Sequence, residues 1–358
     1  MKKFLMVTET FGGGVFAYVS QLCNDMCNYF DVYVAYSAQR AETPKNYKDY
    51  FDSRVHLIEI KDFEKKNLKN IFKLIKVIKR LRKIEREIKP DIIHLHSSIA
   101  GGIGRLAFKG KNNKVIYTPH GFSHILMGPG LKSKVYEMLE RLLGKTNSMI
   151  LTCCKSEDEE AKKFSNDTAY IETGININEL SRFIDKIPVK KMDKITVFSL
   201  GRICKQKRPE IFNQIALQAP EVDFIWIGDG ELAHVLDAPN IKVTGWLPRK
   251  EALAIAKGAD IFILCSYGEA IAMSLLENMF LRKLCLVSNT IGNKSVIKNG
   301  VNGFLCNSVD DYVDHIKAAM KIFPEVLINR AYDDIVNIYN TNAMTDRYVK
   351  FYNYLLKK

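Results

Sequence analysis

Ala259-Asp260-Ile261-Phe262-Ile263-Leu264-Cys265-Ser266-Tyr267-Gly268-Glu269-Ala270-Ile271-Ala272-Met273-Ser274-Leu275-Leu276-Glu277 is the stretch whose reading decides the fold. Residues 261–264 are an unbroken apolar run, which suits a strand buried on both faces. Residues 265–269 break that run and hold Glu269, and residues 270–274 lead into a helical pattern that carries Glu277. Strand, loop and helix in this order form the unit of a parallel α/β sheet, where ligands bind beyond the carboxyl ends of the strands. On one continuous helix an offset of eight would leave the two glutamates about 80° apart, so Glu269 reads as a loop residue and Glu277 as one or two turns into the helix. A helix start offers free N–H groups to a phosphate, and a carboxylate bonds well to ribose or sugar diols. Burial of Glu277 in a core without a partner is disfavoured, because carboxylates are rarely buried unpaired.

Working outward, the same alternation recurs on both sides. Residues 195–200, 223–228, 241–244 and 284–288 read as further strands of the second half, and 4–7, 32–36, 55–60, 92–96, 114–118 and 149–153 as strands of the first. The pattern breaks near residues 173–178, and 186–194 is polar with Pro188. The expectation is an α/β protein of two Rossmann-like domains facing each other across a cleft: residues 1–178, a linker over 179–193, residues 194–340, and a terminal helix over 341–358.

Two more loops follow strands. Residues 4–7 lead to Gly12-Gly13-Gly14 and a helix over 15–29. A glycine cluster there lets the backbone approach a ligand closely, although a tight turn would need it equally. The cluster is not GxGxxG, and no acidic residue stands where a dinucleotide ribose would need one. Residues 195–200 end in Gly201-Arg202, with Lys207 five residues on. A planar guanidinium and a point charge on one loop fit a diphosphate; a solvated basic turn is the plainer alternative. No Asp-x-Asp motif is present, so cations and a helix dipole must neutralise the diphosphate, and neither metal nor other cofactor is expected. Glu269 and Glu277 could pass for a hydrolase carboxylate pair. Hydrolysis of a neutral sugar, however, has no use for Arg202 and Lys207.

The chain has 358 residues and a net charge of +13, with 47% apolar and 26% charged residues. That length suits two domains, each able to bury a core without staples. No apolar run approaches the 18 residues that span a bilayer. Residues 4–7 are too short for a signal-peptide core, and eight cysteines without a CxxC pair make neither a disulfide framework nor a zinc site. Buried thiols in a reducing cytoplasm are expected. Residues 51–150 carry 21 basic and 9 acidic side chains, which is +12 of the total. The densest piece lies between Lys61 and Lys89, with 12 basic and 4 acidic side chains. Within it Ile71, Leu74, Ile75, Ile78, Leu81, Ile84 and Ile88 recur at helical spacing until Pro90 ends the helix. Its apolar stripe should pack on a sheet with the lysines outward. Such a face is either merely solvated or drawn to anionic lipid headgroups. Nucleic acid is not expected, since only Phe72 interleaves with the lysines.

These motifs together resemble the family 4 glycosyltransferases of the GT-B fold. The resemblance rests on Gly245-Trp246-Leu247-Pro248, on Ala259 to Phe262, on Glu269 to Glu277, and on Asn299-Gly300-Val301-Asn302-Gly303-Phe304. Gly201-Arg202 with Lys207, and Gly228-Asp229-Gly230, add to it. In the first half, Gly13-Gly14-Val15 is similar to the family's glycine loop. Asp91-Ile92-Ile93-His94-Leu95-His96 and Thr118-Pro119-His120-Gly121-Phe122 resemble members that build bacterial capsule, exopolysaccharide or O-antigen. The resemblance implies that Arg202 and Lys207 hold the donor diphosphate, Glu277 the ribose, and Glu269 with the amides of Ala270, Ile271 and Ala272 the donor sugar. Gly13 and Gly14 would lie beside the phosphates, Gly228 and Leu247 would help bind the donor, and His120 would face the donor sugar. It implies retention of anomeric configuration and a terminal helix that packs back on the first domain. Ala270 and Ala272 depart from the Gly and the Pro or Gly common in the family, which reshapes the expected sugar pocket.

His94 and His96 alternate on one strand and so share a face; a structural role is expected rather than a metal pair, and His124 lacks the third ligand that zinc would need. Residues 120–134 mix apolar side chains, Gly128-Pro129-Gly130 and two lysines, which suits either an acceptor linked to a polyprenyl diphosphate at a membrane or an ordinary loop buried under the cleft. The expected activity is transfer of a hexose from a nucleotide-diphosphate donor, a UDP-sugar in preference, to such an acceptor at the inner face of the cell membrane. The alternatives are a nucleotide-sugar epimerase of the same shape and a non-catalytic protein that binds membranes through its basic face.

Overall fold

The computed structural model describes residues 1–40, 43–64, 70–108, 114–188, 192 and 194–357. It divides into two compact units: residues 1–124, 131–172 and 344–358 form the first, and 125–130 with 173–343 the second. The boundary thus falls at 172/173, ahead of the expected 178, and the expected linker over 179–193 opens inside a helix. Residues 189–191 and 193 of that linker, and 65–69 of the basic segment, lie outside the described residues.

The first unit holds a seven-stranded parallel sheet. Its strands are β1 (Lys3–Thr8), β2 (Asp31–Tyr36), β3 (His56–Glu59), β4 (Ile92–His96), β5 (Lys114–Thr118), β6 (Met149–Thr152) and β7 (Thr168–Tyr170), in the order β3-β2-β1-β4-β5-β6-β7. The helices are α1 (Gly13–Met26), α2 (Ile71–Ile88), α3 (Ser98–Ala107), α4 (Ser123–Leu126), which crosses the unit boundary, α5 (Leu131–Leu143) and α6 (Lys155–Ala161). The central strands β1 and β4 are almost wholly buried, as near-continuous apolar runs demand.

The second unit begins with α7 (Ile177–Ile184) and continues through β8 (Thr196–Leu200), α8 (Pro209–Gln218), β9 (Asp223–Ile227), β10 (Ile241–Val243), α9 (Arg249–Gly258), β11 (Ile261–Leu264), α10 (Met273–Phe280), β12 (Leu284–Ser288), α11 (Asn293–Val296), β13 (Phe304–Cys306), α12 (Val309–Lys321) and α13 (Glu325–Asn337). Its six strands are parallel, in the order β10-β9-β8-β11-β12-β13. Order reverses beside β8 and β11, the place where an open α/β sheet collects its ligands. The last helix, α14 (Thr341–Lys357), returns to the first unit and buries Met344, Tyr348, Tyr352 and Leu355 in its core.

Two details differ from the sequence reading. β7 and β13 were not anticipated, because three-residue edge strands carry too little apolar pattern. The apolar arc of α2 spans roughly 180°, more than its packing covers. Only Val77, Leu81, Ile84 and Ile88 are buried, whereas Ile71 and Ile75, expected in the stripe, are exposed together with Phe72. All eight cysteines are reduced and buried. Among the described residues no helix is long and apolar enough to cross a membrane.

Candidate functional site

In the second unit the loops after β8 and β11 meet. β8 runs into Gly201, whose φ of +134° only glycine takes easily, and then into exposed Arg202. A 3-10 turn over Lys205–Lys207 places the Lys207 stem against Gly201. The Lys207 Nζ donates to Glu269 Oε1 at 2.7 Å. Ser266 Oγ donates to the same oxygen at 2.6 Å, and Gln206 Nε2 donates to Oε2 at 3.2 Å and to the Gly268 carbonyl at 3.1 Å. Both carboxylate oxygens are therefore held. The loop that carries Glu269 lies on Gly292: a Cβ there would stand 2.4 Å from the Glu269 carbonyl oxygen, and the Glu269 N–H donates to Ile291 O at 3.0 Å.

Glu277 stands in the second turn of α10, and its side chain is largely buried. Burial raises its carboxyl above the usual range, with Arg249 pulling the other way. Arg249 Nη2 donates to Glu277 Oε1 at 2.7 Å. Ala272 precedes α10, which no side chain caps, and Ile271 and Ala272 are buried. Ala270 is outside the positive-φ region, so its Cβ sits there without backbone strain. Gly228, at φ +141°, touches the β8 loop, since a Cβ would lie 2.2 Å from Gly201 O. Leu247 follows β10 and is half-buried. The structure thus brings together Lys207 with Glu269 and Gly201 with Gly228. Glu277 pairs with a residue that sequence reasoning did not single out. Gln206 and Ser266 were missed as well: their residue types occur everywhere, and only the meeting of two loops gives them a role.

In the first unit, Gly13 opens α1 at φ +56° with nothing within 4 Å of where a Cβ would stand, and Gly14 follows in the same turn. His120 stands after β5 at φ +53°. Its Nε2 lies 2.9 Å from His96 Nδ1 and its Nδ1 3.6 Å from Cys153 Sγ. Burial pushes His120 down to about 3, so the ring is neutral at pH 7. Behind it, Thr118 Oγ1 donates to Leu151 O at 2.6 Å and lies 2.7 Å from His94 Nε2. A hydroxyl has one proton, so His94 Nε2 is the donor to Thr118. The neutral ring then accepts at Nδ1 from Tyr352 of α14 at 2.8 Å. Tyr18 and Tyr348 share a hydrogen bond beside this chain. Glu157 accepts from the Gly121 N–H at 2.7 Å and from the Cys153 N–H at 2.9 Å, and burial pushes it up to about 7. His94 and His96 are thus members of a structural network, and His124 pairs with Glu160 at 3.2 Å.

Two family models tile the chain. The description Glycosyltransferase Family 4 matches residues 12–179, and Glycosyl transferases group 1 matches 181–333. The chain is a family 4 glycosyltransferase. This glycosyltransferase is 28% identical, over 75% of its own length and 77% of the other's, to the UDP-Gal:alpha-D-GlcNAc-diphosphoundecaprenol alpha-1,3-galactosyltransferase of Escherichia coli. Further curated relatives are matched over 56% to 70% of their own lengths. Its fold is GT-B. It is similar to sucrose-phosphate synthase from Thermosynechococcus elongatus, with TM-score 0.83, 13% identity and all of both chains covered. It is also similar to Anabaena HepE solved with UDP and glucose, with TM-score 0.75, 15% identity, 99% of this chain and all of the other covered.

Proposed function

We propose that this glycosyltransferase moves a hexose from a nucleotide-diphosphate donor, a UDP-sugar in preference, to a polyprenyl-diphosphate-linked glycan in bacterial surface polysaccharide synthesis. The observation that carries the reading is the Lys207–Glu269 pair at the ends of β8 and β11, backed by Gln206 and Ser266. Lys207 is held by Glu269. A diphosphate would draw the ammonium to itself, and Gln206 and Ser266 would keep Glu269 ionised and fixed for the sugar hydroxyls. Arg202, exposed on the same loop, adds a second cation, and the uncapped start of α10 adds its dipole. Glu277, already oriented by Arg249, takes the ribose diol. The E. coli relative, named for a UDP-galactose donor and a lipid-linked acceptor, and HepE, solved with UDP, support the choice of donor and acceptor class.

The acceptor hydroxyl forms its bond to the anomeric carbon on the face from which the diphosphate leaves, and its proton passes to the departing phosphate oxygen. Anomeric configuration is retained. Arg202 and Lys207 stabilise the leaving diphosphate without a metal ion, and neutral His120, on the loop after β5, faces the donor sugar. The enzyme works as a peripheral protein at the inner membrane face, where its acceptor lies.

A panel of nucleotide sugars, scored by thermal shift and by nucleotide release, tests this reading. A UDP-hexose should raise the melting temperature, release UDP only when acceptor is supplied, and do so in excess chelator. A product that keeps its nucleotide would mark an epimerase, and activity abolished by the chelator would overturn the metal-free mechanism.

A further inference from the structure

Helix α5 is built inside out. Leu131, Val135, Met138, Leu139 and Leu142 fall on one arc of about 100°. Leu131 is 80% exposed, Leu142 56%, and the other three between 42% and 53%. On the opposite side the charged Glu140 is buried, where it accepts from Arg105 Nη2 at 2.8 Å and from the Tyr117 hydroxyl at 2.9 Å. The helix is therefore anchored through an ion pair and turns its apolar stripe to solvent. Lys132 flanks the stripe on one side, and Lys134 and Arg141 flank it on the other.

The stripe belongs to a larger face. α3 packs against both α2 and α5, so the three helices form one layer. Arg82 ties α2 to the end of α3, donating from Nε to Ala107 O at 3.0 Å and from Nη2 to Leu106 O at 3.2 Å. At the other end of α2, Ile71, Phe72 and Ile75 are exposed, as is Leu106 of α3. Outside the Arg105–Glu140 pair, the three helices carry ten basic and three acidic side chains. A second copy of the same face would meet this one with like charge. Phe72 is the only exposed aromatic ring on the three helices, too few to stack nucleic-acid bases. Aliphatic side chains rimmed by lysine and arginine match a lipid bilayer with anionic headgroups.

We propose that the outer face of the α2–α3–α5 layer docks on an anionic lipid bilayer, with the α5 stripe seated at headgroup depth and the α2 cations over it. The proposal deepens the reading of a lipid-linked acceptor and rests on it for its biological purpose, but its test involves no sugar transfer. The full chain is sedimented with vesicles of phosphatidylcholine alone and of phosphatidylcholine with phosphatidylglycerol. The quadruple variant Leu131→Gln, Val135→Gln, Met138→Gln and Leu142→Gln changes only exposed positions of α5. It should keep the wild-type melting temperature and lose roughly tenfold or more of its partitioning into the anionic vesicles. The double variant Lys132→Gln and Lys134→Gln should lose less, and its remaining binding should be less sensitive to salt.

Equal partitioning of the quadruple variant and the wild type would overturn the proposal. So would wild-type binding to neutral vesicles as tight as to anionic ones. A wild type that is dimeric without lipid, with a monomeric quadruple variant, would assign the face to a second copy instead. Transfer to a lipid-free acceptor separates the two ideas. If it fails in every protein while vesicle binding follows the expected order, the enzymatic reading is wrong and the docking face stands. If it is unchanged while binding ignores the variants, the reverse holds.

Discussion

The two units use charge in opposite ways. In the second, the side chains of the candidate site are paired with one another near the strand ends, Lys207 with Glu269 and Arg249 with Glu277, each at 2.7 Å. In the first, His120 backs onto a buried hydrogen-bonded chain of neutral rings and hydroxyls, and the net positive charge is carried by other side chains of residues 51–150. The difference teaches that a basic surface and a phosphate site are separate demands. A diphosphate asks for two or three cations at fixed points, whereas a membrane asks for many at no fixed point.

The comparison breaks first at Lys207. Lys207→Ala should lower sugar transfer by roughly a hundredfold or more, the scale for removing one preorganised group from a developing charge. Transfer at the wild-type rate would remove Lys207 from the donor site. The fold should survive, because the Lys207 side chain is a partner of Glu269 and not part of the second core.

The next effect belongs to the first unit and has a definite sign. Burial raises Glu157 to about 7, so between its ordinary pKa and 7 the folded state holds a proton that the unfolded state has released. That group therefore adds stability as pH falls from 7 toward 5 and removes it as pH rises. His94, His96 and His120 act the other way: burial lowers each, so below their ordinary pKa the unfolded chain takes up protons that the folded one refuses. Glu157→Gln removes the offsetting group. Denaturant unfolding at pH 7 and pH 5 should show the variant losing roughly 2 kcal/mol more than the wild type over that interval. Parallel losses would show that Glu157 is ionised well below 7 in the folded state.

A smaller effect sharpens the same contrast. Tyr352→Phe takes the donor from His94 Nδ1 and leaves a buried acceptor bare, a cost of about 1–2 kcal/mol in unfolding free energy. Nucleotide affinity should not change. A weaker nucleotide affinity in this variant would show that the α14 contact matters to the donor half after all.

The parts of the molecule legible in sequence are those whose signal is local. The apolar run of β11, the break at Gly268 and the helix bearing Glu277 all stand within one stretch of 19 residues, and they place the site. Arg202 and Lys207 stand out as candidates for the same reason. Gln206 and Arg249 do not, since their partners stand 63 and 28 positions away, and Ser266, only 3 positions from Glu269, is too common a residue type to stand out. The His94–Tyr352 bond spans 258 positions, and no spacing rule reaches that far. α2 misled because apolar periodicity says which residues could share a buried face, not how wide a face the sheet covers. α5 carries the same kind of periodicity, yet there the stripe faces water and Glu140 faces the protein.

The most direct test of this account is a UDP titration followed by thermal unfolding of three proteins: wild type, Lys207→Ala and Tyr352→Phe. A ligand bound only to the folded state raises stability by about 2.7 kcal/mol at a hundred times its Kd. UDP should stabilise the wild type and Tyr352→Phe equally, from different starting temperatures, and should leave Lys207→Ala nearly unmoved. Equal stabilisation of Lys207→Ala and the wild type would contradict the assignment of the donor diphosphate to the second unit's strand-end loops.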